Sequence, residues 1–152
     1  MARRVLTILL FLAAVELPGT SAPQGLDRDS EFWNSLNDGE KIVFLQGVYT
    51  GLFESLQVMG EEASRQKDRD PYWIPPFVHE RTTRQVKEYF SDTLGFDYKT
   101  MSGLLDAFYS NPDNGDIDVM SALHILMLHQ DGHIRRANEL LLMKQRETLK
   151  DR

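Results

Sequence analysis

Residues 111 to 118 read Asn-Pro-Asp-Asn-Gly-Asp-Ile-Asp, a glycine among side-chain oxygens with an isoleucine two places on. A calcium-binding EF-hand loop begins this way: side-chain oxygens at its first, third and fifth positions, glycine at the sixth, a backbone oxygen at the seventh and a bidentate glutamate at the twelfth. With Gly115 in the glycine place, Asn114, Ile117 and Asp118 fall acceptably, but the first position is Ser110, the third Pro112 and the twelfth Ser121. A hard cation finds too few oxygens and too little negative charge in that set. The stretch is therefore expected to be a turn between helices. Pro112 ends one helix, Gly115 supplies a positive φ, Asp116 or Asn114 caps the next helix, and Asp118 complements its dipole.

His129 and His133 stand four apart, the spacing at which two imidazoles on one helix face can hold zinc. A zinc protease needs a glutamate directly after the first histidine, and Gln130 occupies that place. No third ligand is evident, although His124 and His79 are available, and Gly132 weakens the helix. Surface histidines are the simpler reading. With no cysteine and no serine in a Gly-x-Ser-x-Gly elbow, nucleophilic catalysis has no foothold. Glu61-Glu62 lies near a charged helix end and reads as a solvated face. The chain is thus expected to be no enzyme and to need no metal or other cofactor.

The remaining candidate is Pro71-Tyr-Trp-Ile-Pro-Pro-Phe77, a stiff apolar strip with two aromatics before its Pro-Pro step and one after. Three roles are open to it: lying over the helices as a core plug, serving as an exposed anchor for a partner, or walling an apolar pocket. The candidate binding residues are Tyr72, Trp73 and Phe77, with Trp73 itself the one best suited to plug the core.

These residues must be carried by helices. Asn37 with Glu40 three places on forms a capping box opening a long helix from about Asp38 to about Gln66, with Ile42, Leu45, Tyr49, Leu52, Phe53, Leu56 and Met59 as its buried stripe. Gly47 and Gly51, one turn apart on it, each cost about 1 kcal/mol in a helix interior. Close approach of another helix is the expected compensation, with a ligand contact as the alternative. Before it, Phe32, Trp33 and Leu36 fit a short helix beginning near Ser30. After it the prolines predict an extended loop, Thr82 with Gln85 a second capping box leading to Val86, Tyr89 and Phe90, and Gly95 a stop. A helix from Thr100 carries Met101, Leu104, Leu105 and Phe108. The next carries Ile117, Met120, Leu123 or His124, and Met127; after Gly132 the last carries Ile134, Ala137 and Leu141. No segment alternates long enough to argue a strand, so the expected fold is all-α, a single small bundle of about five or six helices.

Arg3 and Arg4, the apolar run Val5 to Val15 and the small residues Thr20, Ser21 and Ala22 read as an export signal over residues 1–22, cut after Ser21 or Ala22. The run falls short of the about 20 apolar residues that span a bilayer. Residues 23–29 then form a flexible mature terminus and 30–150 one helical domain. Removing Arg3, Arg4 and Glu16 from the 17 basic and 23 acidic residues leaves 15 and 22, a mature net charge of −7. That argues against a nucleic-acid partner, since phosphate binding needs a basic face.

The segments Phe32 to Leu52 and Phe108 to Leu123 resemble a pattern of small exported bacterial helical proteins. The matching positions are Trp33, Glu40, Lys41, Gly47, Gly51, Phe108, Tyr109, Pro112, Asn114, Ile117, Ala122 and Leu123. The layout is also similar to periplasmic immunity proteins that neutralise type VI secretion effectors. Neither resemblance implies a catalytic residue. Together these readings point to a periplasmic or secreted module that binds a protein partner and does not insert stably in a membrane once its signal is removed. A carrier of a hydrophobic small ligand is the alternative, and a metal-dependent hydrolase comes third.

Overall fold

The computed structural model describes residues 28–90 and 97–150. The export signal, its cleavage site and the stop at Gly95 lie outside the described residues. Within them the chain is all-α: α1 (Asp29–Ser35), α2 (Asp38–Arg69), α3 (Phe77–Lys87), α4 (Tyr98–Tyr109), α5 (Val119–Gln130) and α6 (Ile134–Lys150), with a 3-10 turn at Pro112–Asn114.

α5 is apolar around most of its circumference and is buried accordingly, with Val119, Ala122, Leu123, Ile125, Met127 and Leu128 all in the core. α4, α6 and α1 pack around it, and α2 closes the bundle against α4. α4 contributes Met101, Leu105, Phe108 and Tyr109; α1 contributes Trp33 and α6 Ala137, each almost wholly withdrawn from water. α1 starts at Asp29 with Arg28 as its N-cap, a little before the expected Ser30.

α2 opens on the capping box expected for it: Glu40 N–H donates to Asn37 Oδ1 at 3.0 Å and Asn37 N–H to Glu40 Oε2 at 2.8 Å. The helix runs 32 residues, about 48 Å at 1.5 Å per residue. Its buried residues, Lys41, Leu45 and Tyr49, all fall in the first half. Beyond Tyr49 the helix leaves the core, so Phe53, expected in the stripe, is 48% exposed. By length and composition α2 is also apolar enough to cross a membrane, its best stretch having mean hydropathy 1.2 and 11% of its residues buried.

Gly47 and Gly51 correct an expectation. Both are exposed, and an added Cβ at either would meet nothing within 4 Å. At about 100° per residue they fall on the side of α2 opposite Leu45 and Tyr49, so the buried seam passes them by.

The chain turns after α2, where Tyr72 N–H donates to Asp70 Oδ1 at 3.0 Å and Trp73 N–H to Asp70 O at 2.9 Å. The extended segment is confined to 70–76. α3 begins at Phe77 with Pro76 as its N-cap, so Thr82 and Gln85 sit inside a helix and form no capping box. Pro75-Pro76 fixes the entry backbone without a side-chain cap, a start that capping patterns do not reveal. α3 returns along α2 with no fully buried residue. His79 Nε2 lies 3.2 Å from Met59 O and Thr83 Oγ1 3.6 Å from Met59 Sδ. α3 and the later turns of α2 thus form a helical arm, which rejoins the core where Phe90 packs edge-on against Tyr49 at 5.6 Å.

Candidate functional site

The turn at 111 to 118 uses its oxygens on the protein itself. Asn114 is buried; its Nδ2 donates to Phe108 O at 2.9 Å and its Oδ1 accepts from Gln145 Nε2 at 2.9 Å. Asp116 receives the Arg28 guanidinium at 2.5 Å. Asp118, and neither Asp116 nor Asn114, caps α5, accepting from Ser121 N–H at 2.8 Å. Gly115 has φ −59°, so the expected left-handed backbone is absent. Its neighbour is the Arg28 guanidinium, which an added Cβ would oblige to move. Tyr109 Oη donates to Ile117 O at 2.8 Å and completes a hub that joins α1, α4, α5 and α6.

A second structural knot explains Trp33, Lys41 and their partner Asp106. Trp33 Nε1 and Lys41 Nζ both donate to Asp106 Oδ1 at 2.7 Å, and the ammonium sits 5.3 Å from the indole centroid. The lysine is 8% exposed, and this pairing is what permits its burial.

His129 and His133 do not share a helix face. α5 ends at Gln130, and Gly132 takes φ +79° with Gly132 N–H donating to His129 O and His133 N–H to Leu128 O, a Schellman closure. Among the described residues no cluster of three His, Asp or Glu side chains could hold a metal ion.

The Pro-rich strip forms the end of the arm. Tyr72 is 91%, Ile74 79%, Phe77 68% and Val78 71% exposed, an open apolar ridge. Trp73 corrects the plug reading: it is half-buried and meets His79 edge-on at 6.4 Å, apart from the core cluster. The strip sits on the far part of α2, beyond the reach of the core that it was expected to cover.

Between arm and core lies a charged clamp that no local pattern announced. Arg136 on α6 grips Glu88 through two bonds, at 2.7 and 2.8 Å, and His124 Nε2–H on α5 donates to Glu88 Oε2 at 2.9 Å while stacking on Tyr89. Burial alone would raise the Glu88 pKa, but these hydrogen bonds outweigh it and hold the carboxyl below the usual glutamate range. A cleft of about 530 Å³ opens on one side of the clamp, lined by apolar Phe53, Leu56, Phe90 and Leu128 and by charged Arg84, Lys87, Glu88 and Asp131, with His133. A groove of about 450 Å³ opens beside it, lined by Phe77, Arg81, Arg84, Gln85, Glu88 and Arg136. Neither cleft is lined by Tyr72, Trp73 or the glycines of α2. No protein-family model, curated protein or solved structure matches this chain.

Proposed function

We propose that the chain is an exported, periplasmic protein-interaction module of inhibitory or adaptor type, without catalytic activity, that engages its partner through the ridge at the end of the arm. The observation that carries this reading is the ridge itself: Tyr72, Ile74, Phe77 and Val78 are close in sequence, apolar and more than two-thirds exposed. Contiguous exposed apolar surface is costly to maintain in water and marks contact surfaces, and tyrosine is enriched among residues that dominate binding energy. The resemblance to small exported helical proteins and to periplasmic immunity proteins fits the same reading. The cleft beside Phe53 and Leu56 supports the second one, a carrier of a small apolar ligand, although Arg84, Lys87, Glu88 and Asp131 make much of its lining charged.

A photo-crosslinking residue at position 72 would identify the partner. Tyr72→Ala and Phe77→Ala should then each weaken its capture by about 2 kcal/mol, with helicity and melting unchanged. Capture by both variants at the parental level would remove the ridge from the function.

A further inference from the structure

Below the ridge, Phe77, Arg81 and Arg84 recur at four- and three-residue intervals, one face of α3. They line the groove of about 450 Å³ whose opposite wall carries Arg136. Arg136 is already satisfied by Glu88, whereas Arg81 and Arg84 form no ion pair among the described residues. The charge left over in the groove is positive, in a chain whose net charge is −6. From Arg65 to Lys87 six basic residues stand against three acidic ones, so this stretch, though not the arm as a whole, is locally basic.

We infer that this groove takes an acidic peptide segment of the partner, with carboxylates on Arg81 and Arg84 and an apolar side chain beside Phe77. The inference rests on the reading of the ridge as the docking element and names the chemistry that docks there. A guanidinium presents a planar fork that matches a carboxylate in two parallel hydrogen bonds, and a cationic groove in an acidic protein steers an acidic segment towards itself. An anionic membrane would meet the same arginines, but it offers a flat surface. The groove is concave.

Two labelled peptides test it, equal in length and in their spaced Phe and Leu residues, with Glu at every other position in one and Lys in the other. Titrated with the purified chain, the Glu peptide should bind saturably, weaken as salt rises, and bind at least about tenfold tighter than the Lys peptide. The double variant R81E/R84E should reverse that preference with its melting unchanged. Failure of the Glu peptide to bind, equal affinity for both peptides, or an unaltered preference in the double variant would overturn the inference. So would tighter association with phosphatidylglycerol vesicles than with the peptide, or a concentration-dependent dimer that the reversal dissolves. Capture of the crosslinked partner that is lost in Tyr72→Ala and Phe77→Ala but kept in R81E/R84E would sink the acidic segment alone and leave the ridge standing.

Discussion

The first turns of α2 and its last turns live in different solvents. Leu45 and Tyr49 are sealed against α4, while Phe53, one turn beyond Tyr49 on the same continuous helix, is 48% exposed. In the core, polar groups are committed: Asp106 holds Trp33 and Lys41, and Asn114 holds Phe108 and Gln145. In the arm, α3 is fastened by half-buried polar contacts to Met59 and by the Glu88 clamp, and its first residues, Phe77 and Val78, face water. Burial and exposed apolar surface thus fall to different stretches of chain, and substitutions of the same type should have different consequences in each.

The largest contrast should come from the two tryptophans. Trp33→Ala removes a fully buried indole and should cost about 3 to 5 kcal/mol, whereas Trp73→Ala should stay within about 1 kcal/mol of the parent. Urea unfolding of both variants measures this, and equal losses would erase the distinction between core and arm.

Next in size is the clamp. Glu88→Gln should cost about 1 to 2 kcal/mol by removing the ionic acceptor of Arg136 and His124. Because the folded-state pKa of Glu88 is depressed, its contribution is present in full above the ordinary glutamate range and is lost as pH falls through the folded-state value. A melting series carried downward from neutral pH should show that acid limb in the parent and a shallower one in Glu88→Gln; superimposable curves would mean that the clamp does not fasten the arm.

Gly47→Ala and Gly51→Ala sharpen the comparison in the opposite direction. With nothing near either Cβ position, each should raise the melting temperature, by up to about 1 kcal/mol of added stability. Loss of stability in both would show that another surface does approach that face. The smallest expected effect is that of chelation. The side chains of Asn114, Asp116 and Asp118 are already bonded within the protein, so EDTA should leave helicity and melting unaltered, and a cooperative loss of structure would restore an ion to the turn.

The core was legible because burial repeats with the helical period. Leu45 and Tyr49, Met101, Leu105 and Phe108, and Ile117, Leu123 and Met127 all stand where their spacing placed them, and Asn37 with Glu40 announced the start of α2. What escaped depended on contacts between residues far apart in sequence. The clamp joins Glu88 to His124 and Arg136, 36 and 48 residues away, and only the packed topology brings them together. Gly115 looked like a conformational glycine because its true neighbour, Arg28, is close in the fold but far away in the sequence. The exposed glycines of α2 misled for another reason: one-turn spacing shows that Gly47 and Gly51 share a face, and says nothing of whether a second helix packs on it. Composition singled out Tyr72 and Phe77, but composition alone could not tell an outward-facing strip from a covering one, and Trp73 was misplaced on that account.

Each region also carries its own chromophore. The chain has two tryptophans, Trp33 in the core and Trp73 in the arm. An indole sealed among apolar groups emits at shorter wavelength than one in contact with water, so the intrinsic emission is a sum of two bands that report on different ends of the molecule. Single-tryptophan versions retaining only Trp33 or only Trp73, with phenylalanine in the other place, would give an optical record of bundle unfolding and of ridge occupancy in the same cuvette, without any added label.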